Sequence, residues 1–184
     1  MIIGIVGPIA SGKSILSDML VRRGFVKVSF SEEVRAEATK RGIQIERKHL
    51  QDLGNLLREQ EGDDYWAKRV IARMEKGKNT VVEGIRHPAE VQALRALQEF
   101  VLIGVTAPVA QRYQWIMMRG KDSDPASLEG VKAIDARDQG SGEGSHGQQS
   151  AAAFQLADYT LLNDTTREKL EQKVKRLLQQ LNIL

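Results

Sequence analysis

The sequence predicts an α/β protein built on a five-stranded parallel sheet. Three observations carry the prediction. Short, continuously apolar runs recur along the chain, stretches long enough for helices separate them, and a glycine-rich turn follows the first run. Unbroken apolar runs suit strands covered on both faces, whereas a strand with one wet face alternates.

Ile2-Ile3-Gly4-Ile5-Val6 is the first such run, and others lie at residues 26–30, 80–82, 101–105 and 159–162. Pro88 and Pro108 stand where helices begin, a position that tolerates a missing N–H. In the last segment Thr165 and Glu168 have the spacing of a capping box. Leu170, Val174, Leu177, Leu178 and Leu181 then repeat at helical intervals. Strands alternating with helices predict right-handed crossovers. Two regions depart from simple alternation. Residues 31–76 hold two or three helices within one connection. Residues 119–150 are polar, with Gly140, Gly142, Gly144 and Gly147 close together, as in a surface loop or a mobile cover over a site. Residues 1–184 are read as a single domain, with 31–76 as a helical insertion and 112–150 as a lid region.

A length of 184 residues suits one compact domain. Hydrophobic residues at 41% and charged residues at 28% exclude disorder as the dominant state. The absence of cysteine excludes a disulfide scaffold, thiolate catalysis, zinc–cysteine sites and iron–sulfur clusters. A net charge of +3 is too mild to indicate nucleic acid as a partner. No apolar run approaches a membrane span, and the first residues lack the basic flank of a signal peptide. A soluble, cytoplasmic protein is expected, acting as a monomer or homodimer.

Gly7-Pro8-Ile9-Ala10-Ser11-Gly12-Lys13-Ser14 is a full G-x-x-x-x-G-K-S match directly after the first strand. Its glycines let the main chain curl so that successive N–H groups face one anion, and a helix N-terminus adds partial positive charge. Gly7, Ala10, Ser11 and Gly12 are expected to cradle ATP phosphates, with Ile15 opening the helix beyond. Lys13 is expected at the β- and γ-phosphates and Ser14 on Mg²⁺. Glu83, at the end of Thr80-Val81-Val82-Glu83, is the candidate carboxylate for the metal.

GTPase switches, ATP-driven motors and small-molecule kinases share this loop. Neither the guanine-reading N-K-x-D nor the D-x-x-G switch occurs in the chain, and motors are generally larger. A kinase needs a second anion pocket and a cationic cover. Arg35, Arg58 and Arg86 are candidates for the pocket, because guanidinium forks bind phosphate oxygens in pairs. Arg112, Trp115 and Arg119 share one helix face at i, i+3 and i+7, which places Arg112 near adenine or the phosphates and lets Arg119 swing in. Tyr65 and Trp66 are read as packing. His49, His87 and His146 show no metal-ligand spacing, and His87 is expected at a surface helix start.

Beyond the phosphate loop, the chain carries Val34-Arg35-Ala36-Glu37-Ala38, Leu57-Arg58-Glu59-Gln60-Glu61-Gly62 and Glu83-Gly84-Ile85-Arg86 with Glu90. Arg119-Gly120-Lys121-Asp122-Ser123-Asp124-Pro125, Asp135-Ala136-Arg137-Asp138 and Ala157-Asp158-Tyr159 with Asn163 follow. In these segments the chain resembles the adenylate-kinase-related, dephospho-CoA-kinase-like branch of P-loop nucleotide kinases, which includes deoxynucleoside monophosphate kinases. The resemblance implies a three-layer P-loop fold in which 31–76 binds the acceptor and a lid closes. It places Arg35, Arg58 and Arg86 near the acceptor, Arg119 and Arg137 near the transferred phosphate, and Asn163 at a loop near adenine. Glu83 departs from the aspartate of many relatives, and Ser31-Glu32 from their Gly-Asp.

The acceptor's chemistry separates the remaining readings. A phosphate acceptor is already anionic and needs cations, whereas a hydroxyl acceptor benefits from a carboxylate base. Three arginines stand against one well-placed acid, Glu32, in the acceptor region. The balance favours a nucleoside monophosphate, deoxynucleotides included, over dephospho-CoA. A regulatory ATP-binding P-loop protein is the alternative of another class.

Overall fold

The computed structural model describes residues 1–120, 125–142 and 144–183. Five strands form one parallel sheet: β1 (Ile2–Val6), β2 (Val26–Ser29), β3 (Thr80–Glu83), β4 (Phe100–Thr106) and β5 (Tyr159–Leu162). Their order is β2-β3-β1-β4-β5, so β1 lies between β3 and β4. Every expected strand is present. The run at 26–30 ends one residue early because Phe30 already opens a helix, and the fourth strand runs one residue further at each end.

Nine helices flank the sheet among the described residues: α1 (Lys13–Val21), α2 (Phe30–Lys40), α3 (Arg47–Glu61), α4 (Tyr65–Arg73), α5 (Pro88–Arg95), α6 (Val109–Arg119), α7 (Leu128–Asp138), α8 (Ser150–Gln155) and α9 (Arg167–Gln180). Side-chain alternation along the strands divides the core into two layers. Ile3, Ile5, Val81, Ile103 and Val105 pack with Leu16 and Leu20 of α1 and Leu170, Val174 and Leu178 of α9. Val6, Val82 and Leu102 face the other way, onto Leu53, Leu57, Trp66, Val70, Val91 and Leu94 of α3, α4 and α5. Helices on both faces explain why the strands read as continuous apolar runs. Gly4 supplies room within this packing, since a Cβ there would stand 2.9 Å from both Ile85 and Phe100 side-chain atoms.

Two expectations require correction. The cap of α9 is Thr166 rather than Thr165, its Oγ1 accepting from Lys169 N at 3.4 Å. The polar stretch 119–150 is not all loop. Ser127 Oγ accepts from Gly130 N at 3.0 Å, and α7 then buries Val131 completely. The Lys121-Asp122-Ser123-Asp124 part of the resemblance and Glu143 of the glycine-rich stretch lie outside the described residues.

Candidate functional site

The carboxyl ends of the strands hold the site, where β1 gives way to the curled loop 7–12 between β3 and β4. Open α/β sheets bind ligands at such a reversal of strand order. Gly7 has φ +149°, and a Cβ on it would meet the Val105 carbonyl oxygen at 2.0 Å. Only glycine lets the loop leave β1 that close to β4. Ala10 adopts φ +58° and Gly12 φ +101°, completing the curl into α1.

The rear of the loop is fastened to the fold. Asn163 Nδ2 donates to Ser11 O at 3.0 Å, while its own main-chain N–H donates to Thr106 O at 2.7 Å. Arg112 Nη1 donates to Ile9 O at 3.1 Å, and its fork grips Asp135 of α7 at 3.1 and 2.5 Å. The front of the loop lines a cavity of about 330 Å³ with Ser14, Glu83, Arg86, Arg119 and Asp138. No side chain caps α1 at this front. Lys13 Nζ donates to Gly7 O at 2.8 Å and Pro8 O at 2.6 Å. Burial is the main cause that brings its pKa down to about 7, with Arg86 adding repulsion.

A second cavity of about 330 Å³ adjoins the first. Its apolar wall includes Phe30, Val34, Leu50 and Trp66, and its cations are Arg35, Arg47, Arg58, Arg86 and Arg119. Among the described residues no aspartate or glutamate lines it. The two cavities share Ile9, Ser31, Arg47, Gly84, Arg86 and Arg119, so three arginines stand on the seam between them.

The cations differ in how they are held. Arg35 is exposed on α2 and makes no ion pair among the described residues. Arg58 is buried against Glu90, with Nε and Nη2 on Oε1 at 3.1 and 2.8 Å. The other oxygen of Glu90 accepts from Arg86 N at 2.7 Å and His87 N at 3.1 Å. One carboxylate therefore sets both Arg58 and the turn that presents Arg86. Arg86 Nη1 reaches Gln148 Oε1 at 3.0 Å and Asp138 Oδ2 at 2.9 Å.

Several expected residues stand elsewhere. Glu32 is exposed on the first turn of α2 and lines neither cavity, because Ser31 and Arg35 occupy the inward positions. Asn163 is buried behind the loop, its amide engaged with Ser11. Arg112 is likewise buried, and it braces the loop from beneath. Arg137 lines neither cavity, and its Nη2 bonds Asp52 of α3 at 2.6 Å. Ile15 packs against the core under α1. Glu83 lines the loop-side cavity but also pairs with Lys27 at 2.7 Å. Trp66 is packing, with Nε1 donating to Gly54 O at 3.0 Å. His87 is a buried cap of α5 rather than a surface residue, Nδ1 accepting from Ala89 N at 3.2 Å.

Arg47, Gln51 and Asp138 are functional candidates the sequence reading missed. Arg47, Leu50, Gln51, Gly54 and Arg58 of α3 all line the second cavity. Their helical spacing places them on one face, which is the signal that was available. Asp138, the last residue of α7, shows no such pattern.

A family model described as "AAA domain" matches residues 3–133. A "UPF0200 protein" of Methanothrix thermoacetophila is 33% identical, and the match covers 98% of this chain and 97% of that protein. Among solved structures, shikimate kinase from Bacteroides thetaiotaomicron is similar at TM-score 0.62 and 13% identity, over 99% of this chain and 98% of that one. Dephospho-CoA kinase from Campylobacter jejuni is similar at TM-score 0.58 and 17% identity, over 98% and 96%. These two likenesses show a kinase-like P-loop fold. By sequence, the chain belongs to the AAA domain family and to the UPF0200 proteins.

Proposed function

We propose that the protein transfers the γ-phosphate of ATP to a (deoxy)nucleoside monophosphate, giving the diphosphate. The observation that carries this reading is the arginine-lined cavity beside the phosphate loop, to whose wall the described residues contribute no carboxylate. An acceptor that is already anionic needs that environment, and the apolar wall of Phe30, Val34 and Trp66 suits a base. The shared seam of Arg47, Arg86 and Arg119 lies where the transferring group would pass between the cavities.

The residues present fit the donor. Helix α1 has no side-chain cap at its N-terminus, and Lys13 bonds only carbonyls that a phosphate can replace. Ser14 and Glu83 line the same cavity and would hold Mg²⁺, although no three His, Asp or Glu side chains form a metal cluster among the described residues. Magnesium, when bound, neutralises charge on the phosphate oxygens. The protein's part is alignment and fixed positive charge. Arg35, Arg58 and Arg86 orient the acceptor, while Lys13 and Arg119 meet the charge that develops during transfer. No general base is required.

A hydroxyl acceptor, as in dephospho-CoA, would need a base. Glu32 lines neither cavity, Glu83 is paired with Lys27 at 2.7 Å, and the oxygens of Asp138 are held by Arg47, Gln51 and Arg86. The test is a screen of purified protein with Mg-ATP for ADP release against monophosphates, deoxymonophosphates, dephospho-CoA and nucleosides. Stimulation by a monophosphate is expected. Background rates with every acceptor, while ATP still binds, would replace the proposal with a regulatory ATP-binding role.

A further inference from the structure

Asp138 is a buried carboxylate with an unusual set of partners. Arg47 Nη2 approaches its two oxygens at 3.4 and 3.1 Å, Gln51 Nε2 donates to Oδ1 at 2.9 Å, and Arg86 Nη1 stands 2.9 Å from Oδ2. Two guanidinium groups and an amide, from α3 and the turn after β3, thus converge on one anion. Planar forks of this kind recognise carboxylate and phosphate oxygens with the same geometry. Arg47 and Arg86 also belong to the seam between the two cavities, which the acceptor's anionic group must reach. Arg47 has a buried Nε without a partner, so the donor set is not exhausted by Asp138.

We propose that Asp138 is an internal competitor, occupying Arg47 and Arg86 until the acceptor's phosphate displaces it and loosens the end of α7 against α3. The inference rests on the reading of this cavity as the acceptor site. Only hydrogen bonds and ion pairs exchange partners, and no covalent bond is made or broken. The consequence for α7 follows from its contacts. Its attachments to α3 include Asp138 to Arg47 and Gln51, together with the half-exposed pair between Arg137 and Asp52. A further anchor, Asp135 on Arg112, leads to the phosphate loop through Ile9. Displacement of Asp138 therefore loosens α7 against the acceptor-side helix, where Arg137 still holds Asp52, while leaving it tied to the donor side. A purely structural ion pair predicts no response to anions, because its partners would have no better ligand to take.

The test uses inorganic phosphate as the probe, titrated by calorimetry into the wild-type protein, Asp138→Asn, and Asp138→Asn combined with Arg47→Ala. Removing the competing charge while keeping the side chain's shape is expected to tighten phosphate binding about tenfold, equivalent to about 1.4 kcal/mol. Adding Arg47→Ala should cancel the gain. Unchanged or weaker binding in Asp138→Asn overturns the proposal. A second readout needs no variant: amides of α7 should exchange hydrogen faster in wild-type protein when phosphate is added, and unchanged exchange contradicts the displacement. The outcomes separate this inference from the kinase reading. Acceptor-dependent turnover with unaltered phosphate affinity in Asp138→Asn sinks only the competitor. Tighter phosphate binding without turnover on any acceptor keeps the competitor and sinks the kinase.

Discussion

Glu90 and Arg58 form a buried ion pair, Oε1 to Nη2 at 2.8 Å, with side-chain exposures of 0% and 4%. The pair lies under the second cavity, and the same carboxylate holds the main chain of Arg86 and His87. Removing one partner from such a pair leaves an uncompensated buried charge. Glu90→Ala should destabilise the protein by about 3–5 kcal/mol. Urea unfolding checks this, and a loss below about 1 kcal/mol would mean that Arg58 finds water or another partner.

Arg35 should behave differently although it lines the same cavity. Its side chain is exposed and no ion pair fixes it among the described residues. Arg35→Ala is expected to leave the melting temperature within about 2 °C, as surface changes usually cost under 0.5 kcal/mol. The KM for the acceptor should rise about tenfold or more, and the KM for ATP should stay constant. Equal effects on both substrates would place Arg35 outside the acceptor site.

The phosphate loop makes a steric prediction. A Cβ at residue 7 would fall 2.0 Å from the Val105 carbonyl oxygen, at a φ of +149°. Gly7→Ala should therefore cost several kcal/mol, on the order of a severe core or backbone change. Nucleotide binding should be lost with it. Thermal unfolding and fluorescent-nucleotide titration test the two effects, and a stable variant that binds normally would show that the loop tolerates a different path.

Lys13 makes the stability of the protein depend on pH. Burial lowers its pKa from 10.5 to about 7, so between those values the unfolded chain binds the extra proton and the folded chain does not. Stability should rise with pH across that window, by at most about 1.4 kcal/mol per unit, and Lys13→Met should flatten the rise. A bound triphosphate favours the charged ammonium. ATP binding at pH 8 should then take up a proton, visible by calorimetry in buffers of different ionisation enthalpy. Binding without proton uptake would show that Lys13 is already charged.

How legible all this was depends on whether a feature is local. The strands were readable because burial on both faces leaves unbroken apolar runs, and loop 7–14 because a tight curl onto an anion needs glycine at fixed spacing. Helix α7 was obscured because its apolar face is narrow, with Val131 the one fully buried apolar residue of that helix. Arg112, Arg137 and Asn163 were visible as polar residues, but their destinations were not. Asp135, Asp52 and Ser11 lie far from them along the chain, and only packing decides those partners. Asp138 was passed over for the same reason, since its partners come from α3 and the turn after β3.

The central claim is phosphoryl transfer from ATP onto the phosphate of an acceptor. Phosphorus NMR on protein incubated with Mg-ATP and the best acceptor from the screen reads it directly. The account predicts a new diphosphate signal on the acceptor, growing as ADP forms and absent in Arg86→Ala. A new phosphomonoester on a sugar hydroxyl, or inorganic phosphate as the sole product beside ADP, would contradict it.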